Sequence, residues 1–323
     1  MKVFITGGTG NIGQYVTKGV LAAGHQVVLL TRTPDRIPAY ADIPEIEIVK
    51  GNILELDILE KALQGCDAVI HIALGWGNTP VKMLEHDTKV TVFLMEAAEK
   101  AGVSQMIYTS STAAMGPLRD GMDETALLLP GDLYGSTKAA SEMYMIGFNR
   151  YYSGQGVPSE ESKLRRNVIR PGYTFSNPAF PFGASQSDQR FNQIAKAVLQ
   201  NQPLSFSATD GTQFISSGQI AELYVKLLES DLNREVFLAL GTKFVSWADI
   251  AQNAKDKVPG STSEITVTNQ GGQPSYYNVD KMNRVFGLSF AGDEELTDHI
   301  TWNIERARKE LEGEDVHNPY HVW

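Results

Sequence analysis

The stretch VFITGGTGNIG, from Val3 to Gly13, decides the fold of this chain. A short apolar run enters a glycine-rich turn and continues into a helical pattern. Gly7, Gly10 and Gly13 have the spacing of a strand-to-helix turn that binds a dinucleotide pyrophosphate. Gly7 allows the tight turn, Gly10 lets the backbone approach the phosphates, and Gly13 lets the helix lie against the strand. The free N–H groups at the start of that helix then face the pyrophosphate.

The segments after this turn continue the same alternation of strand and helix. Apolar residues recur at helical spacing after Gly13, Gly24 closes the helix, and Val27–Leu30 predicts a second strand. Further strands are predicted at 46–49, 68–72, 106–109 and 167–170, with helices near 58–64, 83–101 and 133–151. Strands separated by helices predict an α/β fold with a Rossmann-type doubly wound parallel sheet, whose ligand lies at the carboxyl ends of the strands.

The pattern changes after Pro171, where the sequence becomes rich in aromatic residues, proline and serine. Residues 1–172, with return segments near 212–241, are predicted to form the dinucleotide-binding domain. Residues 173–211 and 242–323 are predicted to form a smaller, discontinuous C-terminal lobe that binds substrate. An exposed loop is expected over 153–163 and a mobile tail from Glu312.

Composition limits the partners that this chain is expected to have. Its 323 residues carry a formal net charge of −10, which argues against nucleic acid and anionic membrane surfaces. Cys66 is the single cysteine, so no intrachain disulfide forms, and no apolar run approaches the roughly 20 residues of a membrane helix. No secretory signal precedes the first strand, and Pro319 between His317 and His321 opposes a metal site there. We expect a cytoplasmic protein with a small-molecule substrate and no metal.

The segment Tyr134-Gly-Ser-Thr-Lys138 contains the second chemical signal. Residues four apart share one face of a helix, so the lysine ammonium is predicted to lie near the tyrosine and the cofactor ribose. That ammonium and an oxidised nicotinamide ring would favour the phenolate of Tyr134. Tyr134 is therefore predicted to exchange a proton with a substrate oxygen during hydride transfer.

A third signal follows the fifth predicted strand, where Ser110 and Ser111 place hydroxyls at a carboxyl strand end. The order of glycine loop, strand-end serine and Tyr-x-x-x-Lys resembles the extended branch of the short-chain dehydrogenase/reductase superfamily, the NAD(P)-dependent epimerases and dehydratases. The resemblance implies catalytic roles for Ser111, with Ser110 as the near alternative, for Tyr134 and for Lys138. It also marks two departures: Met115 replaces the tyrosine of the family's Tyr-Gly ending, and Asp87 replaces an asparagine.

The resemblance also implies a set of cofactor contacts from the glycine loop and the strand ends. They are Gly7, Thr9, Gly10, Asn11, Ile12, Gly13, Arg32, Arg36, Asn52, Ile53, Ile72, Ala73, Thr109, Tyr134, Lys138 and Pro171. Relatives that prefer NAD carry an acid after the second strand, where this chain has Thr31 followed by Arg32. Because an arginine binds a 2′-phosphate that an acid repels, NADP is favoured over NAD.

The expected substrate follows from a further departure from the family. Relatives that act on nucleotide sugars carry Arg-Asp where this chain has Thr212 and Gln213, and the arginine binds the substrate diphosphate. Arg190 is a weak candidate for a replacement. Four residues with bulky apolar or aromatic side chains are instead candidates for a substrate pocket: Trp76, Met115, Tyr173 and Phe175.

Three functions remain open from the sequence. The favoured one is an NAD(P)-dependent oxidoreductase that reduces a small carbonyl substrate. The alternative is a nucleotide-sugar epimerase or dehydratase that recycles the hydride internally. The third is a dinucleotide-sensing regulator without turnover, which Tyr134, Lys138 and Ser111 disfavour. The resemblance also implies a homodimer formed through the helices near 83–101 and 133–151.

Overall fold

Seven parallel strands form the central sheet of the protein in a computed structural model, which describes residues 1–147, 150–152, 158–181, 183–185, 188–314 and 316. The strands are β1 Lys2–Thr6, β2 Gln26–Thr31, β3 Ile46–Lys50, β4 Ala68–His71, β5 Gln105–Thr109, β6 Arg165–Pro171 and β7 Val236–Ala239. Their order across the sheet is β7-β6-β5-β4-β1-β2-β3. The chain order therefore reverses between β1 and β4, which is where an open sheet of this kind binds its ligand.

The described helices are α1 Asn11–Ala22, α2 Leu56–Ala62, α3 Pro80–Met83, α4 Lys89–Lys100, α5 Leu133–Glu142, α6 Gln189–Leu199, α7 Ser217–Leu228, α8 Trp247–Asp256, α9 Asp280–Phe286 and α10 Asp293–Leu311. They include helices on both faces of the sheet, with α1 and α7 on one face and α2 and α4 on the other. Side chains alternate along β1, so that Val3 and Ile5 join a core with residues of α1 and α7, whereas Phe4 joins a core with Leu94 of α4. The predicted doubly wound parallel sheet is confirmed.

Two predicted helices differ from the structure. The helix expected over 83–101 begins earlier, as α3, and a π-helical turn at Leu84–Thr88 separates α3 from α4. The helix expected over 133–151 is α5 followed by a π-helical turn at Met143–Gly147. Residues 148 and 149, within the range expected to be helical, lie outside the described part of the chain.

The expectation of an exposed loop over 153–163 was wrong for its second half. Strand Arg150–Tyr152 pairs with strand Pro158–Glu161 in antiparallel orientation, and residues 153–157 lie outside the described part of the chain. The end of the predicted mobile tail, with His317 and His321, lies outside it as well.

A third core lies beyond the sheet, between α6, α8 and α10, and is built around Phe191, Trp247 and Ile300. Short strand pairs surround it: Leu204–Ser207 with Ile265–Thr268, Gly211–Thr212 with Val245–Ser246, and Thr174–Phe175 with Ile215–Ser216. Helix α9 instead packs against β7, because Met282 is buried in the same core as Phe237. The predicted domain boundaries stay a prediction. Within the described ranges, every helix is too short or too polar to cross a bilayer.

Candidate active site

The turn between β1 and α1 is held by contacts between backbone segments. Gly7 has a φ of +76°, and a Cβ atom there would lie 2.6 Å from the amide nitrogen of Ala73, just after β4. A Cβ atom on Gly13 would lie 2.0 Å from the carbonyl oxygen of Gly7. Neither position has room for a side chain, so α1 begins directly against the loop at the switch point of the sheet.

The start of α1 has the properties of an anion site. Gly10 precedes the helix, no side chain caps its first N–H groups, and the first turn holds no acidic residue. The unpaired N–H groups and the positive end of the helix dipole are therefore free to bind negative charge. Predicted contacts Thr9, Asn11 and Ile12 lie on this same turn. These features fit the pyrophosphate of a dinucleotide.

Replacing Gly13 by alanine is expected to weaken dinucleotide binding at least about tenfold and to destabilise the fold by about 1–3 kcal/mol, because the added methyl group would force the loop away from α1. Isothermal titration with NADPH and chemical unfolding measure the two effects. The matched control is Gly19→Ala in the same helix, where a Cβ atom would lie 3.3 Å from the side chain of Val225 and 3.8 Å or more from Ala221. Equal effects of the two substitutions would contradict this account of the loop.

Other predicted cofactor residues lie at the ends of strands β2, β3, β4 and β6. The amide nitrogen of Ala73 donates to the carbonyl oxygen of Thr6 at 3.2 Å, which fixes the segment Ile72–Ala73 beside β1. Asn52 and Ile53 are half-buried after β3, and Pro171 is buried at the end of β6. Arg32 is exposed after β2 and makes no ion pair with any described residue. The side chain of Arg36 lies outside the described part of the chain.

Helix α5 brings Tyr134 to the turn that follows Ser111. The Asp132 side chain caps the helix by accepting a hydrogen bond from the amide of Gly135 at 2.6 Å. A Cβ atom on Gly135 would lie 2.4 Å from the carbonyl oxygen of Ala113. The glycine after Tyr134 therefore lets the start of α5 contact the 3₁₀ turn Thr112–Met115.

Lys138 lies one turn below Tyr134 and is only 3% exposed. Its Nζ lies 5.8 Å from the ring centre of Tyr134 and donates to the carbonyl oxygen of Thr109 at 3.3 Å. Burial alone would lower the pKa of this amine, but the nearby Tyr108, Asp87 and Tyr134 raise its pKa above the ordinary lysine value. These groups therefore favour the ammonium form of Lys138 at the end of β5.

The two serines at the end of β5 have different hydrogen bonds. Ser110 is 2% exposed, and its hydroxyl donates to the carboxylate of Glu142. Ser111 is half-buried, and its Oγ accepts a hydrogen bond from the amide of Ala113 at 3.1 Å. Within the described part of the chain the Ser111 O–H donates to no acceptor and could donate to a substrate oxygen, which supports Ser111 over Ser110. The catalytic assignment itself stays a prediction.

His71, at the end of β4, is a structural residue. It is 1% exposed, and its two ring nitrogens lie 2.7 Å from the Thr6 hydroxyl and 3.0 Å from the Thr91 hydroxyl. Burial, helped by the charge of Lys138, lowers its pKa to about 3. The imidazole therefore stays neutral at physiological pH and does not compete with Tyr134 as an acid or base.

The four predicted substrate residues differ in burial. Trp76 is 57% exposed after β4, and Tyr173 is half-buried with its hydroxyl 3.3 Å from Arg190. Met115 is fully buried in the core beneath the sheet, and Phe175 is 1% exposed in the core of the lobe. The expectation that Met115 and Phe175 face a substrate pocket was wrong, because both side chains fill cores.

Sequence reasoning missed a buried ion pair beneath the site. The Arg170 guanidinium donates to the Glu142 carboxylate from Nη2 at 2.7 Å and from Nε at 3.0 and 3.1 Å, with both residues at most 4% exposed. The Ser110 hydroxyl donates to the same carboxylate. One carboxylate thus joins α5, β5 and β6, which carry the predicted site residues. The available signal was that Glu142 follows Lys138 by one helical turn.

Thr212 and Gln213 stand where relatives that act on nucleotide sugars have Arg-Asp. Among the described residues near them, no unpaired cation is available to bind a diphosphate. Gln213 is buried, and its amide nitrogen donates to the carbonyl oxygens of Gly241 at 3.0 Å and Tyr277 at 3.1 Å. Arg190 lies over Trp247 at 4.0 Å and is shared between Asp188 and Asp210. Its charge is therefore largely balanced within the lobe.

Comparison with known proteins adds three similarities. A profile of the NAD dependent epimerase/dehydratase family matches residues 3–238. The 3 beta-hydroxysteroid dehydrogenase/Delta 5-->4-isomerase of Mycobacterium tuberculosis is 30% identical over 164 residues, which cover 46% of this chain and 43% of that enzyme. The chain thus spans less than half the length of that relative. An uncharacterized protein of Saccharomyces cerevisiae is 32% identical over 259 residues, 78% of each chain.

A solved structure shares the fold over almost the whole length. The UDP-glucuronic acid 4-epimerase of Bacillus cereus, in complex with NAD, superimposes with a TM-score of 0.72 at 21% identity. The alignment covers 96% of this chain and 99% of that enzyme. At this identity the likeness shows a common fold.

Proposed function

Because this chain belongs to the NAD dependent epimerase/dehydratase family, as the sequence predicted, we propose that it reduces a small carbonyl compound with NADPH as the hydride donor. The observation that carries the proposal is the arrangement of Tyr134, Lys138 and Ser111 at the end of β5, beside a loop that fits a dinucleotide. The hydroxysteroid dehydrogenase activity in the name of the mycobacterial relative supports an oxidoreductase.

The side chains of this site divide the chemistry between them. NADPH supplies the hydride when it is bound. The Ser111 O–H donates a hydrogen bond to the carbonyl oxygen and holds it in place, while Tyr134 gives that oxygen a proton. The Lys138 ammonium stabilises negative charge on the Tyr134 oxygen after the proton has left. The backbone N–H groups at the start of α1 hold the pyrophosphate.

Reduction of a free carbonyl is favoured over chemistry on a nucleotide sugar because of charge. Thr212 and Gln213 are neutral, and Arg190 already pairs with two carboxylates. A diphosphate carries two negative charges and would lose a strong bidentate partner here. Trp76 instead offers an exposed aromatic surface after β4.

The preference for NADPH is expected to depend on Arg32. Arg32→Ala should raise the KM for NADPH by about ten- to a hundredfold, because one charge-assisted contact to the 2′-phosphate is lost, and should leave the KM for NADH nearly unchanged. Lys18→Ala, which removes an exposed positive charge from α1, is the control. A wild-type enzyme that prefers NADH, or an Arg32 variant with an unchanged KM for NADPH, would contradict this assignment.

The proposed activity is tested by screening aldehydes and ketones for loss of the near-ultraviolet absorbance of NADPH. In parallel, the melting temperature is measured with UDP-, GDP- and dTDP-sugars, since a ligand at a concentration about 100 times its Kd stabilises a protein by about 2.7 kcal/mol. A clear shift with a nucleotide sugar, together with no carbonyl turnover, would favour an epimerase or dehydratase. Tight NADPH binding with no turnover of either kind would favour a regulator.

A further inference from the structure

A buried glutamine on α1 joins the dinucleotide-binding half of the protein to the C-terminal lobe. Gln14 is fully buried. Its Oε1 accepts a hydrogen bond from the amide of Ala179 at 3.1 Å, and its Nε2 donates to the carbonyl oxygen of Ala184. One side-chain amide thus pairs with two main-chain groups of the segment formed by residues 176–181 and 183–185, which we call the contact segment.

The neighbouring positions of α1 make two more hydrogen bonds to the contact segment. The hydroxyl of Ser176, which is 3% exposed, donates to Oδ1 of Asn11, the first residue of the helix. The hydroxyl of Tyr15 donates to the carbonyl oxygen of Asn177 at 3.1 Å. The side chains that hold the contact segment therefore come from the same turn whose N–H groups fit a pyrophosphate.

Tyr40 connects the contact segment to the glycine loop by a second route. It lies on the 3₁₀ turn Pro38–Asp42 after β2 and is 1% exposed. Its hydroxyl donates to the carbonyl oxygen of Gly8 at 2.9 Å, and its ring packs edge to face against Phe180 with the ring centres 5.1 Å apart. The contact segment thus rests on both the glycine loop and the start of α1.

We propose that Gln14 is a positioning residue that couples dinucleotide binding to the placement of the lobe. The dinucleotide fixes the glycine loop and the start of α1, and Gln14 transmits this order to the contact segment, which follows strand Thr174–Phe175 in the lobe. Coupling between two sites is reciprocal, so a docked contact segment strengthens dinucleotide binding by the same factor. The coupling requires only dinucleotide binding, whereas its effect on turnover rests on the proposed function.

The first test measures hydrogen exchange with and without saturating NADPH, and with NADH in parallel. In wild type, the dinucleotide should slow exchange in the contact segment at least about tenfold more than in the paired lobe strands Leu204–Ser207 and Ile265–Thr268. In Gln14→Leu this difference should shrink to less than about twofold, because leucine offers no hydrogen bond to Ala179 or Ala184. A full difference in Gln14→Leu would mean that the dinucleotide itself covers the segment, and would overturn the proposal.

Dinucleotide affinity measures the same coupling independently. Isothermal titration should show the Kd for NADPH raised about tenfold in Gln14→Leu, which matches the protection that is lost. The matched control is Gln105→Leu, since Gln105 is 1% exposed and its amide donates to the carbonyl oxygen of Leu227 at 2.9 Å. This control should lower the melting temperature but leave the Kd and the exchange difference unchanged. Equal effects of the two variants on the Kd would refute a coupling role for Gln14.

A milder variant serves if Gln14→Leu does not fold. Tyr15→Phe combined with Ser176→Ala removes two hydroxyl groups that hold the contact segment and leaves Gln14 in place. The exchange difference should fall at least about threefold in this double variant, because fewer bonds attach the segment to α1. An unchanged difference would overturn the proposal.

Turnover separates this proposal from the proposed function. In Gln14→Leu the KM for the carbonyl substrate should rise about tenfold while kcat stays within about threefold of wild type, because the lobe is displaced and β5 and α5 still carry the residues predicted to be catalytic. If wild type shows the exchange difference but reduces no carbonyl, the proposed function is refuted and the coupling is supported. If wild type reduces a carbonyl but shows no exchange difference, the coupling is refuted and the proposed function stands.

Discussion

Replacing Tyr134 by phenylalanine is expected to lower kcat about 1,000-fold while dinucleotide affinity stays within about twofold of wild type. The substitution removes only the phenolic O–H, so the protein loses its proton donor, and general acid catalysis contributes about 10²–10⁴-fold. Tyr134 is half-buried at the start of α5, with no described hydrogen bond to another side chain. The fold should therefore tolerate the change. Single-turnover kinetics and titration with NADPH measure the two quantities separately.

The matched control is Tyr144→Phe, which makes the same change at a tyrosine 48% exposed on the π-helical turn after α5. It should retain wild-type kcat. If Tyr134→Phe also retained wild-type kcat, the proton donor would have to be another group, and the arrangement of Ser111, Tyr134 and Lys138 would lose its catalytic meaning.

The fold was predictable where its cause is local. Gly7 and Gly13 stand where backbone atoms come too close for a side chain. Only glycine fits such a position, so the contact can be predicted from the sequence. The β-branched runs between helices predict a parallel sheet, because strands that are covered by helices on both faces are apolar along their whole length. The π-helical turn at Leu84–Thr88 was not predictable, because its sequence LEHDT contains no glycine or proline that would mark an interruption of the helix. Nor was the pairing of Arg150–Tyr152 with Pro158–Glu161, which depends on contacts between segments.

The candidate site was predictable in its polar residues and not in its apolar ones. Ser111, Tyr134 and Lys138 follow a spacing tied to their chemistry, and the structure brings their segments together. Met115 and Phe175 are apolar residues outside this polar motif. An apolar side chain has the same sequence pattern whether it lines a pocket or fills a core. Asp87 was recognised as a departure, but only the structure shows its oxygen 3.6 Å from Lys138.

The largest loss of stability is expected from Glu142→Ala. The change would leave the Arg170 guanidinium buried with only the main-chain oxygen of Glu124, at 3.2 Å, as a described partner. Breaking a buried ion pair on one side costs about 3–5 kcal/mol, because an uncompensated charge remains. Chemical unfolding measures this loss. Glu60→Ala, which truncates an exposed glutamate in α2, is the control and should stay within about 0.5 kcal/mol of wild type.

The same ion pair also has a predicted effect on activity, which stability alone does not explain. Ser110 and Arg170 each directly precede a predicted site residue, Ser111 and Pro171, and both donate to the Glu142 carboxylate. The double variant Glu142→Leu with Arg170→Met replaces the pair by apolar groups and should recover much of the lost stability. Its kcat should nevertheless stay at least about tenfold below wild type, because the hydrogen bond that fixes Ser110 is gone. Recovery of both stability and kcat would mean that the pair supports only the core and does not position the strand ends.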